Sequence, residues 1–118
     1  MTIAEAASAL RAKKISSREL TEDALERIAR ENSRLNAFVT VTRELAVARA
    51  IAMDDELARG VDRGPLHGLP VAHKDLMMTR GVRTTAGSKI FEHFVPEEDA
   101  VVVSKLNDAC LLYTSRCV

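Results

Sequence analysis

The side chain with the greatest chemical potential in this sequence is Lys74, next to last in the stretch GPLHGLPVAHKD at positions 64–75. A lysine that shuttles protons must be neutral part of the time near neutral pH, against an unperturbed pKa of ~10.4. Burial, or hydrogen-bond donors aimed at its nitrogen, would bring that value down. The neighbours suit a tight setting, with the small residues Gly68 and Ala72 just ahead of the lysine. A Lys-Asp pair at a strand end is also what an ordinary solvated ion pair looks like. Spacing alone favours that plainer reading.

Ser88 is the next candidate, at the end of Thr84-Thr85-Ala86-Gly87-Ser88. Its surroundings are not the Gly-x-Ser-x-Gly of a nucleophile elbow. They are not a phosphate-binding loop either, because the order is Gly-Ser-Lys and the glycine spacing is wrong. A structural turn held by hydroxyl-to-backbone bonds is expected, with Ser88 not catalytic. His67, His73 and His93 have neither helical i, i+4 pairing nor an accompanying acidic or cysteine pattern, so no zinc site is expected. His73 could tune the field at Lys74 or simply pack. Cys110 and Cys117 have no metal or redox spacing.

The elements that must position Lys74 can be read in order. Thr2 and Glu5 form a capping box that starts a first helix, with Ile3, Ala7 and Leu10 on one face. Ser16 and Glu19 start a second helix in the same way, with Leu20, Ala24, Leu25 and Ile28 facing the core. Asp23–Arg27 and Glu26–Arg30 have ion-pair spacing on its outer side. Asn32, Ser33 and Asn36 read as a loop, and 37–41 as a short strand. Thr42 should cap a third helix running to Gly60, striped by Ala46, Ala50, Met53 and Leu57. An alanine stripe implies close packing. Pro65, Gly68 and Pro70 then exclude helix, so 71–74 must be extended. Side chains alternate along a strand, which places Ala72 and Lys74 on one face and Val71 and His73 on the other. A short helix at 89–94, a loop with an N-cap at 96–99, and a last helix through Val102, Leu106 and Ala109 follow, although the valine run could equally be strand.

Bulk composition narrows the classes. The 118 residues are 47% hydrophobic and 29% charged, which is ordinary for a globular chain. Aromatics are only 3%, so the core is aliphatic and thin for a free-standing domain. Lys plus Arg and Asp plus Glu both number 17, so the electrostatic footprint of a nucleic-acid binder is missing from this segment. No apolar run reaches spanning length and no signal-peptide pattern opens the chain. A reduced, cytoplasmic protein without membrane contact is expected.

Taken together, GPLHGLPVAHKD, the TTAGSK loop and DAVVVSKLNDA resemble the amidase signature enzymes, as does RLNAFVTV ahead of the third helix. The resemblance runs from the first helices to about Ala109. It implies an α/β fold in which N-terminal helices accompany the first strands of a mixed sheet enclosed by helices. It also implies a nucleophilic serine, a second serine held by a cis peptide bond, and a lysine, which falls on Lys74. Neither metal nor organic cofactor is implied, and the substrate would be a small-molecule amide. The oligomeric state is left open. Both serines belong to a Gly- and Ser-rich segment that these 118 residues do not contain. The expectation is therefore an N-terminal part of an amidase over 1–109, inactive alone. Residues 110–115 resemble the translation of a transposon-type sequencing adapter, so 110–118 is expected to be a non-native tail. Within the family, the A subunit of a tRNA-dependent amidotransferase is the second reading. A non-catalytic helical interaction module is a third, which leaves both loops unexplained.

Overall fold

A computed structural model of the chain describes residues 1–109 and the backbone of 112–117. Both expected capping boxes form. Thr2 Oγ1 accepts the Glu5 N–H at 3.2 Å while Glu5 Oε2 accepts the Thr2 N–H at 2.6 Å, starting α1 (Ile3–Arg11). Ser16 and Glu19 make the same reciprocal pair at the start of α2 (Ser17–Leu35). Asp54, reaching over from α3 (Arg43–Ala58), accepts the Ser17 N–H at 2.7 Å and the Arg18 N–H at 3.0 Å. Two more of the orphan donors at the α2 start are thus satisfied by a neighbouring helix.

The helix α2 is longer than its composition suggests. Asn32 and Ser33 continue it instead of forming a loop, and it stops at Asn36, whose φ of 49° is left-handed. Asparagine tolerates that conformation, so the stop signal is the third polar residue of the group and not the first. Asn32 turns its amide onto the next element. Its Oδ1 accepts the Phe38 N–H at 2.8 Å and its Nδ2 donates to the Phe38 carbonyl at 2.9 Å, fixing the first residue of β1 (Phe38–Val41). On the outer face Asp23 pairs with Arg27 at 3.0 Å, but Arg30 turns to Glu31 at 3.2 Å instead of Glu26. Glu31 also takes Arg34, which concentrates the attraction there.

The most deeply buried stripe of α2 is Ser17, Thr21 and Leu25, not the Leu20–Ala24–Ile28 side. The cause is the close approach of the chain at Gly68. Ser17 Oγ donates to the Gly68 carbonyl at 2.6 Å, and a Cβ on Gly68 would stand 3.1 Å from Ser17 Oγ. Gly68 also has φ +78°, so both space and backbone conformation require glycine there. Around this contact Ala6, Ala7, Leu10 and Leu69 form the main apolar cluster, with Leu20, Leu57 and Leu106 packed against it. The alanine stripe of α3 is confirmed: Ala46 and Ala50 are completely buried and Met53 nearly so. Thr42 occupies the N-cap of α3 without a side-chain capping bond.

The sheet has β1, β2 (Pro70–Lys74) and β3 (Leu112–Cys117) in the order β1-β3-β2. β3 runs parallel to β2 and antiparallel to β1, so the sheet is mixed, as expected, and α2 and α3 pack against it. Phe38 and Lys74 are both opposite Cys117 in the register. The reading of 110–118 as a non-native tail, with Cys110 and Cys117, otherwise falls outside the described residues. After β2 comes a single 3-10 turn at Lys89–Phe91, shorter than the expected helix over 89–94. The valine run is helical, α4 (Val101–Asp108), capped from Ala100 with no side-chain bond. Val103 is its buried residue and Val102 is exposed, one position off the expected stripe.

Candidate functional site

β2 delivers its side chains alternately, as its sequence demands. His73 is buried at 2% exposure and Lys74, on the opposite face, is exposed. His73 therefore packs into the interior on the side away from the lysine. The next residue, Asp75, is buried again at 4% exposure. The Lys-Asp pair is thus not a solvated one, because its acidic member is buried. The chain reverses at once, with the Met77 N–H donating to the Lys74 carbonyl at 3.0 Å in an i to i+3 turn.

The Thr84–Ser88 loop folds back onto this turn. Asp75 Oδ1 accepts the Thr85 N–H at 3.0 Å, Asp75 Oδ2 accepts the Thr85 hydroxyl, and the Asp75 carbonyl accepts the Ala86 N–H at 2.8 Å. Thr85 Oγ1 in turn accepts the Gly87 N–H at 3.2 Å. Ala86 and Gly87 are both left-handed, at φ 50° and 68°. A second set of bonds supports the loop from behind, where Gly81 and Thr84 donate their N–H groups to the Pro96 and Phe94 carbonyls at 3.0 and 2.9 Å. Ser88 Oγ accepts the Ile90 N–H at 3.2 Å and starts the 3-10 turn, which is the structural role expected of it.

These pieces enclose a pocket of about 150 Å³ lined by Val39, Lys74, Asp75, Leu76, Ala86 and Gly87. Gly68 is not part of it; the small residues that line it with the lysine are Ala86 and Gly87, from further along the chain. A larger groove of about 370 Å³ lies between α2 and the starts of β1 and β2. Its lining is apolar, and the polar groups there, Arg27, Glu31 and Asn32, are engaged with Asp23, with Arg30 and Arg34, and with Phe38. Lys74 and Asp75 line the smaller pocket.

The remaining candidates are dispersed. His67 is buried, with Nε2 facing the Met53 carbonyl at 3.1 Å and Nδ1 accepting the Arg63 N–H at 3.3 Å, which fixes the Nε2–H tautomer. It ties α3 to the loop before β2. His93 is exposed on the far side of the 3-10 turn. Among the described residues no three His, Cys, Asp or Glu side chains gather as a metal site. Again among the described residues, no helix is long and apolar enough to cross a membrane.

Sequence reasoning missed Asp75, Val39 and Leu76 as parts of the pocket. The available signal was Asp75 itself: an acidic residue next to a strand-end lysine, ten residues before Thr85, whose hydroxyl can donate to it.

Comparison with known proteins supplies the wider frame. The family model described as Amidase matches residues 19–115. The glutamyl-tRNA(Gln) amidotransferase A subunit of Carboxydothermus hydrogenoformans is 46% identical over 107 residues, covering 91% of this chain and 22% of that protein. The protein of the same name from Alkalilimnicola ehrlichii is 50% identical over 115 residues, covering 98% of this chain and 24% of its own length. Among solved structures, the native peptide amidase of Stenotrophomonas maltophilia superposes with a TM-score of 0.93 at 32% identity, over 99% of this chain and 24% of that one. The chain thus spans under a quarter of the length of these relatives.

Proposed function

The chain belongs to the amidase family, and from that premise we propose that it carries the lysine of an enzyme that cleaves a carboxamide C–N bond. The carrying observation is the position of Lys74, at the tip of β2 and lining a pocket walled by the Thr84–Ser88 loop. In the proposed reaction Lys74 Nζ takes a proton from a bridging serine held by a cis peptide bond. That serine takes one from the nucleophilic serine, whose oxygen attacks the amide carbon. The C–N bond breaks, the proton passes back to the departing amine, and an acyl-enzyme remains. Water then enters, gives its proton to the same relay, and releases the acid. Developing negative charge on the carbonyl oxygen is met by backbone N–H groups near the bridging serine.

Neither serine lies within residues 1–118, so one group of the three is supplied here and the chain alone hydrolyses no amide. The test is hydrolysis by the complete gene product, with and without Lys74→Ala. The expected result is activity in the parent and loss of at least ~10³-fold in the variant, the scale of removing one member of a nucleophile–base unit. Activity surviving Lys74→Ala, or shown by the purified 118-residue chain, overturns the proposal.

The identities of 46% and 50% to amidotransferase A subunits, against 32% to the peptide amidase, favour a second reading. In it the amide is glutamine and the ammonia released passes to a partner protein. Ammonia release from glutamine, compared with release from a peptide amide, separates the two. We further propose that residues 110–118 come from a sequencing junction and replace native sequence at that point. Strand pairing uses backbone groups that every residue but proline carries, so β3 accommodates either origin. Re-amplifying the source DNA across this junction tests the idea; an unbroken frame with these codons rejects it.

A further inference from the structure

We propose that Asp75 is a positioning residue for Lys74, acting through the tip of the Thr84–Ser88 loop. The inference rests on the reading of Lys74 as the proton-carrying group. A carboxylate at 4% exposure is costly to bury unless donors face it, and here Thr85 supplies two of them. Thr85 gives both its N–H and its hydroxyl to the Asp75 carboxylate, and Ala86 gives its N–H to the Asp75 carbonyl. The Thr85 hydroxyl passes the constraint on by accepting the Gly87 N–H at 3.2 Å.

Ala86 and Gly87, which these bonds hold, are the loop residues that line the Lys74 pocket. Ala86 is held at φ 50°, where an L side chain is disfavoured, so the tip keeps this shape only while its surroundings impose it. Asp75 is covalently next to Lys74. It therefore ties the far wall of the pocket to the same backbone that carries the lysine, and sets how closely that wall stands to Nζ. A carboxylate does this better than an amide. It accepts from both Thr85 donors, whereas an asparagine would present its NH2 to the Thr85 hydroxyl and leave that hydroxyl's own hydrogen without its acceptor.

The experiment uses the complete gene product with Asp75→Asn, Thr85→Val, the double variant and Thr85→Ser. Trace acylation by acetic anhydride, read by peptide mass spectrometry, gives the rate at Lys74 relative to Lys105, an exposed lysine on α4. Amide exchange at Thr85 and Ala86 is read in parallel. Each single variant is expected to raise the Lys74 to Lys105 ratio roughly threefold to tenfold, the range open to one lost hydrogen bond. The double variant should add nothing beyond the larger single effect, because both remove the same tie. Thr85→Ser keeps the hydroxyl and should return the parent ratio. Faster exchange with an unchanged ratio identifies a merely structural tie and overturns the proposal, as do single effects that multiply. Failure of the amidase reading is detected separately, by Lys74→Ala in the complete gene product, and leaves these ratios unaltered.

Discussion

The helical layer of α1, α2 and α3 and the Lys74 face are built on different principles. The helices are organised by short-range rules, with reciprocal caps at Thr2–Glu5 and Ser16–Glu19 and an aliphatic interior of Leu10, Leu25, Ala46 and Ala50. The Lys74 face is organised by polar bonds between segments 10 to 22 residues apart: Asp75 to Thr85, Arg80 to Asp99, and Met78 to Ala100. Its buried residues include Asp75, Thr79, Thr84 and Thr85. The difference teaches where stability and where geometry come from. Apolar burial holds the scaffold, and buried polar bonds, worth less each but directional, shape the pocket.

The sharpest way to break this division is to remove one residue from each side. Leu25→Ala should cost about 2–5 kcal/mol, the range for deleting a fully buried leucine, measured from the urea midpoint. Asp75→Ala should cost about 1–3 kcal/mol, the penalty of leaving the Thr85 donors without their acceptor. Its amide-exchange changes should be confined to 75–88, while those of Leu25→Ala spread through all three helices. If Asp75→Ala costs more than Leu25→Ala, the polar face is the scaffold and the division fails. Thr21 tests the boundary between the two principles. It is completely buried on α2, and its hydroxyl has no hydrogen-bond partner among the described residues. Thr21→Val should therefore stabilise the chain by about 1 kcal/mol, seen as a raised urea midpoint.

The smallest effect is the response to acid. Backbone N–H donation from Ser16, then its hydroxyl, holds the Glu19 carboxyl below its usual value, and Thr2 does the same for Glu5. A carboxyl whose folded pKa is lowered contributes stability that is complete above its unfolded value, near ~4.3, and lost as pH falls through the folded value. The amides of the first turns of α1 and α2 should lose exchange protection below about pH 4, before the helix centres do. Uniform loss along the helices would show that the caps contribute nothing separable.

The same division governs what could be read from the residues. Caps and stripes are local, so both capping boxes, the burial of Ala46, Ala50 and Met53, and the alternation of His73 and Lys74 were all legible. Local rules misplaced the core stripe of α2, because the approach of Gly68 to Ser17 joins positions 51 residues apart. They also started the loop at Asn32 too early, since the αL stop falls on Asn36. For the site, Lys74 could be singled out by the wider pattern around it, but the pocket walls could not. Val39, Leu76, Ala86 and Gly87 come together only through the sheet and the Asp75 tie.

Whichever origin residues 112–117 have, the central place of β3 in the sheet has a consequence for the order in which the molecule forms. β1 and β2 each pair with β3, so each reaches its partner only when residues 112–117 arrive. Phe38 must find Cys117 across most of the chain, a closure whose entropy is met before any ladder bond rewards it. During synthesis the helices can assemble first, leaving two strands with open edges to wait. The interval before β3 emerges is when those edges are exposed to other chains, and when aggregation competes with folding.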